Sequence, residues 1–80
     1  MHKPGILSLF GGHVKRIRII KGYSQEQLAA CADLDRTYIS GIERGKRNVS
    51  LLNLVKLAKA LDIPTKQLLD FDIEERNVSS

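Results

Sequence analysis

The stretch SQEQLAACADLDRTYISGIERGKR, residues 24–47, decides how this chain folds. Ser24 is followed three residues later by Gln27, the spacing of a capping box, in which side chain and backbone satisfy each other at a helix N-terminus. Leu28, Ala29 and Ala32 then supply the apolar side of a short helix, with Cys31 alongside as a small apolar filler. Asp33-Leu34 predicts a tight turn, and Asp35 is placed to N-cap a following helix that ends at Gly45.

That following helix is unusually polar. From Arg36 to Arg44 only Ile39 and Ile42 are aliphatic, and on a helical wheel they share the inner side with Glu43 beside them. Thr37, Ser40, Gly41 and Arg44 lie opposite, flanked by Arg36 and Tyr38. Gly41 costs about 1 kcal/mol relative to Ala in a helix interior, a cost explained if something approaches the backbone closely there. An outer face of hydroxyls, small residues and guanidinium forks suits the DNA major groove, where arginine pairs bidentately with guanine O6 and N7. A solvated surface helix with scattered charges accounts for these residues equally well, taken alone.

Working outward, the pattern predicts an all-α chain of five short helices, with no segment alternating as a strand does. The first is expected over about residues 9 to 21, after Gly11-Gly12, with Val14, Ile17 and Ile20 on one side and Gly22 as its stop. Ser50 caps the fourth, LLNLVKLAKALD, whose broad apolar face combines Leu51, Leu54, Val55, Leu57, Ala58 and Leu61. Pro64 opens the fifth, TKQLL. The expected organisation is an N-terminal arm over 1–8, a single domain over 9–70 and an acidic, frayed tail over 71–80.

Composition bounds the function. Eighty residues make one domain with a thin stability margin, and without Trp the core must be built from aliphatics. The single cysteine permits no internal disulfide and matches no metal spacing, which suits a reducing cytoplasm. No secretory signal and no membrane-spanning run is expected. Net charge is +4, but its distribution says more. Lys3, Lys15, Arg16, Arg18 and Lys21 precede the first acid, and residues 36–50 set Arg36, Arg44, Lys46 and Arg47 against Glu43 alone. Asp70, Asp72, Glu74 and Glu75 make the end acidic. A polyanion partner on the basic side follows from this asymmetry.

With the two central helices and the turn between them in place, SQEQLAACADLDRTYISGIERGKR resembles the helix-turn-helix of phage-repressor and Cro-like regulators. RIRIIKGYSQEQLA before it and LLNLVKLAKALDIP after it match the same family, so the resemblance spans about residues 10 to 70. Within that family, DRTYISGIERGKRN is most similar to the controller proteins of restriction–modification systems. Those are small homodimers that bind operators upstream of their own gene and time expression of the endonuclease. The resemblance implies that Arg36, Thr37, Tyr38 and Ser40 read bases or the adjacent backbone. It also implies that Gln25, Arg44, Lys46, Arg47, Asn48 and Ser50 hold phosphates, Gln25 bracing the reading helix as well. Asn53, near a helix N-terminus, is a further phosphate candidate. Arg18 and Glu43 are paired by the resemblance as a scaffold ion pair joining the first helix to the third. The turn position usually occupied by glycine is Asp33 here, a residue that tolerates the left-handed conformation.

Other motifs are weaker. GIERGK at 41–46 lacks a spacer residue and the Ser/Thr of a phosphate-binding loop, and no strand leads into it. His2 and His13 are too isolated for a metal site, His13 being expected near a helix start. No nucleophile–base–oxyanion set points to an enzyme, and no cofactor or small-molecule ligand is expected. One short reading helix gives limited specificity, which dimerisation onto half-sites about 34 Å apart overcomes. Leu52, Thr65, Leu68, Leu69 and Phe71 are the expected dimer surface. Three rivals stay open at this point: a prophage-type repressor, an antitoxin of the same fold, and a protein-interaction module without DNA binding. General RNA binding lacks an aromatic stacking platform.

Overall fold

The computed structural model describes residues 5–72. The order is α1 (Ile6–Ile20), α2 (Gln25–Ala32), α3 (Arg36–Glu43), α4 (Leu51–Leu61) and a final 3₁₀ helix, Thr65–Leu69. Four α-helices and one 3₁₀ turn therefore stand where five helices are expected, and no strand occurs among the described residues. Most of the acidic tail, residues 73–80, and positions 1–4 of the arm lie outside the described residues.

All four α-helices end in the same way. The residue after the last turn takes a left-handed backbone at Gly22, Asp33, Gly45 and Asp62, with φ of 84°, 57°, 75° and 57°. The next residue's N–H then bonds back five positions: Tyr23 to Arg18, Leu34 to Ala29, Lys46 to Gly41 and Ile63 to Ala58. This motif satisfies carbonyls that a helix end leaves free. Asp occupies the strained position twice, which its short polar side chain permits. At the helix starts, Ser24 forms the full capping box with Gln27, and Ser50 Oγ accepts from Asn53 N–H at 3.1 Å. Asp35 holds the N-cap position of α3 with extended backbone but makes no side-chain cap bond.

Phe10, Val14 and Ile17 of α1, Leu28, Ala29 and Ala32 of α2, Ile39 and Ile42 of α3, and Leu57, Ala58 and Leu61 of α4 form one buried cluster, closed by Leu68 of the 3₁₀ helix. α3 packs against both α1 and α2, while α4 bridges α2 and the 3₁₀ helix.

Several positions depart from expectation, each for a local reason. α1 begins at Ile6 rather than about residue 9, so Ile6, Leu7 and Ser8 are helical where an arm is expected. Gly11-Gly12 does not start the helix but lies inside it, because α3 approaches there. A Cβ on Gly11 would run into the carbonyl oxygens of Ile42 and Glu43, whereas one on Gly12 would meet nothing within 4 Å. Ile20 is 75% exposed, at the last turn of α1, and Leu51 is 74% exposed, at the first position of α4. Cys31 is exposed rather than a core filler, since Leu28, Ala29 and Ala32 already define the inward side of α2.

His13 is not a helix-start residue: it sits buried in the middle of α1 and ties it to the 3₁₀ helix. Its Nε2 lies 2.7 Å from the Gln67 carbonyl, while Nδ1 lies 3.1 Å from an Arg16 guanidinium nitrogen. With Arg16 donating to Nδ1, Nε2 carries the proton and donates to Gln67.

Candidate nucleic-acid interface

α3 is fixed before any partner arrives. Its apolar side is inserted completely, Ile39 and Ile42 being 0% and 1% exposed. Its last residue is gripped by a charged network. Arg18 Nε and Nη2 donate to the two carboxylate oxygens of Glu43 at 2.6 and 3.0 Å, the bidentate geometry that guanidinium favours. Arg18 Nη1 donates to the Tyr23 carbonyl at 2.8 Å, and Gln25 Nε2 donates to Glu43 Oε1 at 3.1 Å. One carboxylate thus joins α1, the loop after it, the first turn of α2 and the end of α3.

That network also sets the electrostatics of the outer face. Glu43 is the only acid among residues 36–50, and its charge is consumed internally by Arg18. Arg36, Arg44, Lys46 and Arg47 are all exposed, so this side keeps its cations without an acid from the same segment to offset them. The Arg36 and Thr37 side chains make no hydrogen bond or ion pair with other described residues. Arg44 folds back weakly, its Nε 3.4 Å from the Ser40 carbonyl. Lys46, Asn48 and Ser50 are exposed along the loop, and Ser40 and Gln25 are half-buried. Four exposed positive charges beside a helix that carries the hydroxyls of Thr37, Tyr38 and Ser40 can attract a polyanion and offer donors to it.

Three of the expected site residues are brought together in a way their spacing does not announce. Asn53 Nδ2 donates to Tyr38 Oη at 3.0 Å, and the Arg47 guanidinium lies over the Tyr38 ring, 5.6 Å from its centroid. Gly41, expected on the outer surface, is buried because the Arg47 side chain lies across it. The close approach inferred from this glycine is real, but the approaching group is Arg47. The one sequence signal for it is the glycine itself, in a helix interior where glycine is disfavoured.

The expected dimer surface divides. Leu52 and Leu69 are 65% and 53% exposed, and Thr65 and Phe71 are half-buried. Leu68 does not belong to it: at 0% exposure it closes the core beneath α4. Its spacing within a five-residue 3₁₀ helix could not separate it from Leu69, because three residues per turn leaves only one of two adjacent leucines facing in. Leu69 and Phe71 instead border an open apolar cavity of ≈ 320 Å³, shared with Ile6, Leu7, Phe10, Val49 and Leu54. Phe71 also packs against the rings of Phe10 and His13. Among the described residues no three His, Cys, Asp or Glu side chains gather as a metal site, and no helix is long and apolar enough to cross a membrane.

Comparison with known proteins places this geometry. Residues 14–68 match the helix-turn-helix family. Control protein C.BamHI of Bacillus amyloliquefaciens is 59% identical over 64 residues, covering 79% of each chain. The crystal structure of the restriction-modification controller protein C.AhdI from Aeromonas hydrophila superposes with a TM-score of 0.77 at 53% identity, over 78% of this chain and 94% of that one. The controller protein C.Esp1396I, solved bound to a 25 base pair operator site, is similar with a TM-score of 0.75 at 40% identity, over 85% and 90% of the two chains.

Proposed function

The chain belongs to the helix-turn-helix family and, within it, to the restriction-modification controller proteins, and from that premise we propose that it is a homodimeric transcriptional regulator that binds an operator in double-stranded DNA. The observation that carries this is the outer face of α3 and its following loop. Four exposed cations stand there while the segment's single acid is neutralised from inside by Arg18. The operator complex of C.Esp1396I supports the same reading.

The mechanism is binding rather than chemistry. α3 enters the major groove, with Arg36, Thr37, Tyr38 and Ser40 toward base edges. Gln25, Arg44, Lys46, Arg47, Asn48, Ser50 and Asn53 hold the backbone, which sets register and salt dependence. Two copies joined through Leu52, Thr65, Leu69 and Phe71 present two reading helices to a two-fold symmetric site. Bound protein then blocks polymerase or recruits it, according to operator position, in the cytoplasm where the genome lies.

Arg36→Ala is expected to lose about 1–3 kcal/mol of discrimination at one base position. Competition binding against a set of single-base operator variants measures it. Equal losses on operator and random duplexes would remove Arg36 from the base readers. Leu69→Glu places a charge on an already exposed position, so folding should be preserved while the dimer dissociates. Analytical ultracentrifugation should then show a monomer, with operator affinity falling steeply; an intact dimer would move the interface elsewhere.

A further inference from the structure

Tyr38 is the most firmly held residue of the reading face, and its restraints come from outside α3's exposed edge. Asn53 Nδ2 fixes its hydroxyl at 3.0 Å from the first turn of α4. Arg47 covers one side of its ring from the loop after α3, 5.6 Å from the centroid. Arg47 reaches that position by crossing the backbone of Gly41. A Cβ there would stand 2.9 Å from Arg47 Cγ and 3.3 Å from Nε, with Cδ at 3.6 Å. The atom in conflict, Cγ, lies in the middle of the side chain rather than at its free end, so a Cβ at position 41 forces Arg47 to change its path.

An aromatic side chain without such restraints would sample several staggered rotamers and would lose that freedom on binding. We propose that Gly41 and Asn53 are positioning residues for Tyr38. Gly41 acts by letting Arg47 lie flat across α3 onto the ring, and Asn53 by anchoring the hydroxyl. Operator discrimination then depends on two residues whose action passes through Tyr38 rather than through a base. The proposal rests on Tyr38 being a base reader, and it gives Asn53 a role beside phosphate binding. It also gives Arg47 a second role beside its charge.

The signature is a divergence between stability and specificity. Alanine is a better helix former than glycine, so Gly41→Ala should melt at or above the wild-type temperature. Its affinity ratio should nevertheless fall by about fivefold or more, the worth of one net hydrogen bond or stacking contact. The ratio compares the duplex recovered from a randomised pool with a scrambled duplex of the same composition. In the free protein, the resonances of the Arg47 guanidinium, the group that lies over the Tyr38 ring, should shift on the Gly41→Ala substitution. Asn53→Ala keeps the backbone N–H that Ser50 caps and should lower the ratio similarly. Tyr38→Phe should do the same, and the Asn53→Ala/Tyr38→Phe double variant should lose no more than either single change.

If Tyr38→Ala collapses the ratio while Gly41→Ala and Asn53→Ala leave it intact, Tyr38 reads bases without being positioned, and the proposal fails alone. If Tyr38→Ala leaves the ratio unchanged, the base-reading assignment of Tyr38 fails and the positioning role falls with it. Arg47 guanidinium resonances unaltered by Gly41→Ala would also overturn the proposed path through Gly41.

Discussion

Glu43→Ala is expected to destabilise the fold by about 3–5 kcal/mol, the cost of leaving one member of a buried ion pair uncompensated. Arg18 is 8% exposed, and the Glu43 side chain within the pair is 2% exposed, so water does little to screen the charge left behind. The Tyr23 carbonyl would remain the only described hydrogen-bond acceptor of that guanidinium, and Gln25 would lose its acceptor too. Domains have only about 5–15 kcal/mol in total, so a large share disappears, and urea denaturation followed by circular dichroism measures it. The loss should be strongly non-additive. Replacing Arg18 and Glu43 together by methionine removes both charges and should cost far less than the sum of the single changes, as paired buried charges generally behave. A double variant as unstable as that sum would mean that the two residues act separately, and that the pair does not join α1 to α3.

Gly11→Ala is expected to be comparably damaging although it adds a single methyl group to a helix. The new Cβ would meet the backbone oxygens of Ile42 and Glu43, and it would sit 3.0 Å from the Glu43 carbonyl carbon. Backbone cannot rotate aside as a side chain can, so α1 and α3 must separate, opening the core contact and stretching the Arg18–Glu43 pair. Overpacking of this kind costs about 1–3 kcal/mol, and the upper end or beyond applies where the obstacle is backbone. The neighbouring Gly12→Ala is the internal control. Nothing lies within 4 Å of its Cβ, so alanine should stabilise α1 by up to about 1 kcal/mol through helix propensity. Adjacent glycines of one helix should therefore answer the same substitution with opposite signs. Equal effects would show that the close crossing of α1 and α3 is not where the structure has it.

The two kinds of glycine also explain how much was legible beforehand. Local grammar was readable: the Ser24–Gln27 capping box, the Ser50 cap and the inward Ile39 and Ile42 all follow from spacing and residue type, while the left-handed Asp33 followed from the resemblance. The all-α fold and its helix-turn-helix followed from those elements together with the resemblance they carry. Features that depend on a partner element were not readable. Gly11-Gly12 looks like a helix boundary until α3 is seen pressing on one of the pair. Gly41 does advertise a close approach, but the sequence has no means of naming Arg47 as the approaching group. Ile20, Leu51 and Cys31 fit apolar stripes and are exposed, because a stripe does not say where the neighbouring helix ends. Leu68 and Leu69 are adjacent and alike, and only the 3₁₀ geometry sends the first into the core.

For the site, charge and position marked the right segment, α3 and its loop, while the links between residues stayed hidden. Tyr38, Arg47 and Asn53 are spread over fifteen residues of separation between the first and last, and no local pattern predicts that they touch. Their association turns a set of independent candidates into one unit, and it is the feature of the interface that the sequence could least supply.

The most direct test of the account is selection of bound duplexes from a randomised DNA pool at about 150 mM salt, where weak, purely electrostatic binding is suppressed. The expected result is a two-fold symmetric motif with half-site centres about one helical turn apart, as two α3 helices on a dimer require. Recovery of no motif by the folded protein would contradict sequence-specific DNA recognition, and would assign the basic face of α3 to a protein partner.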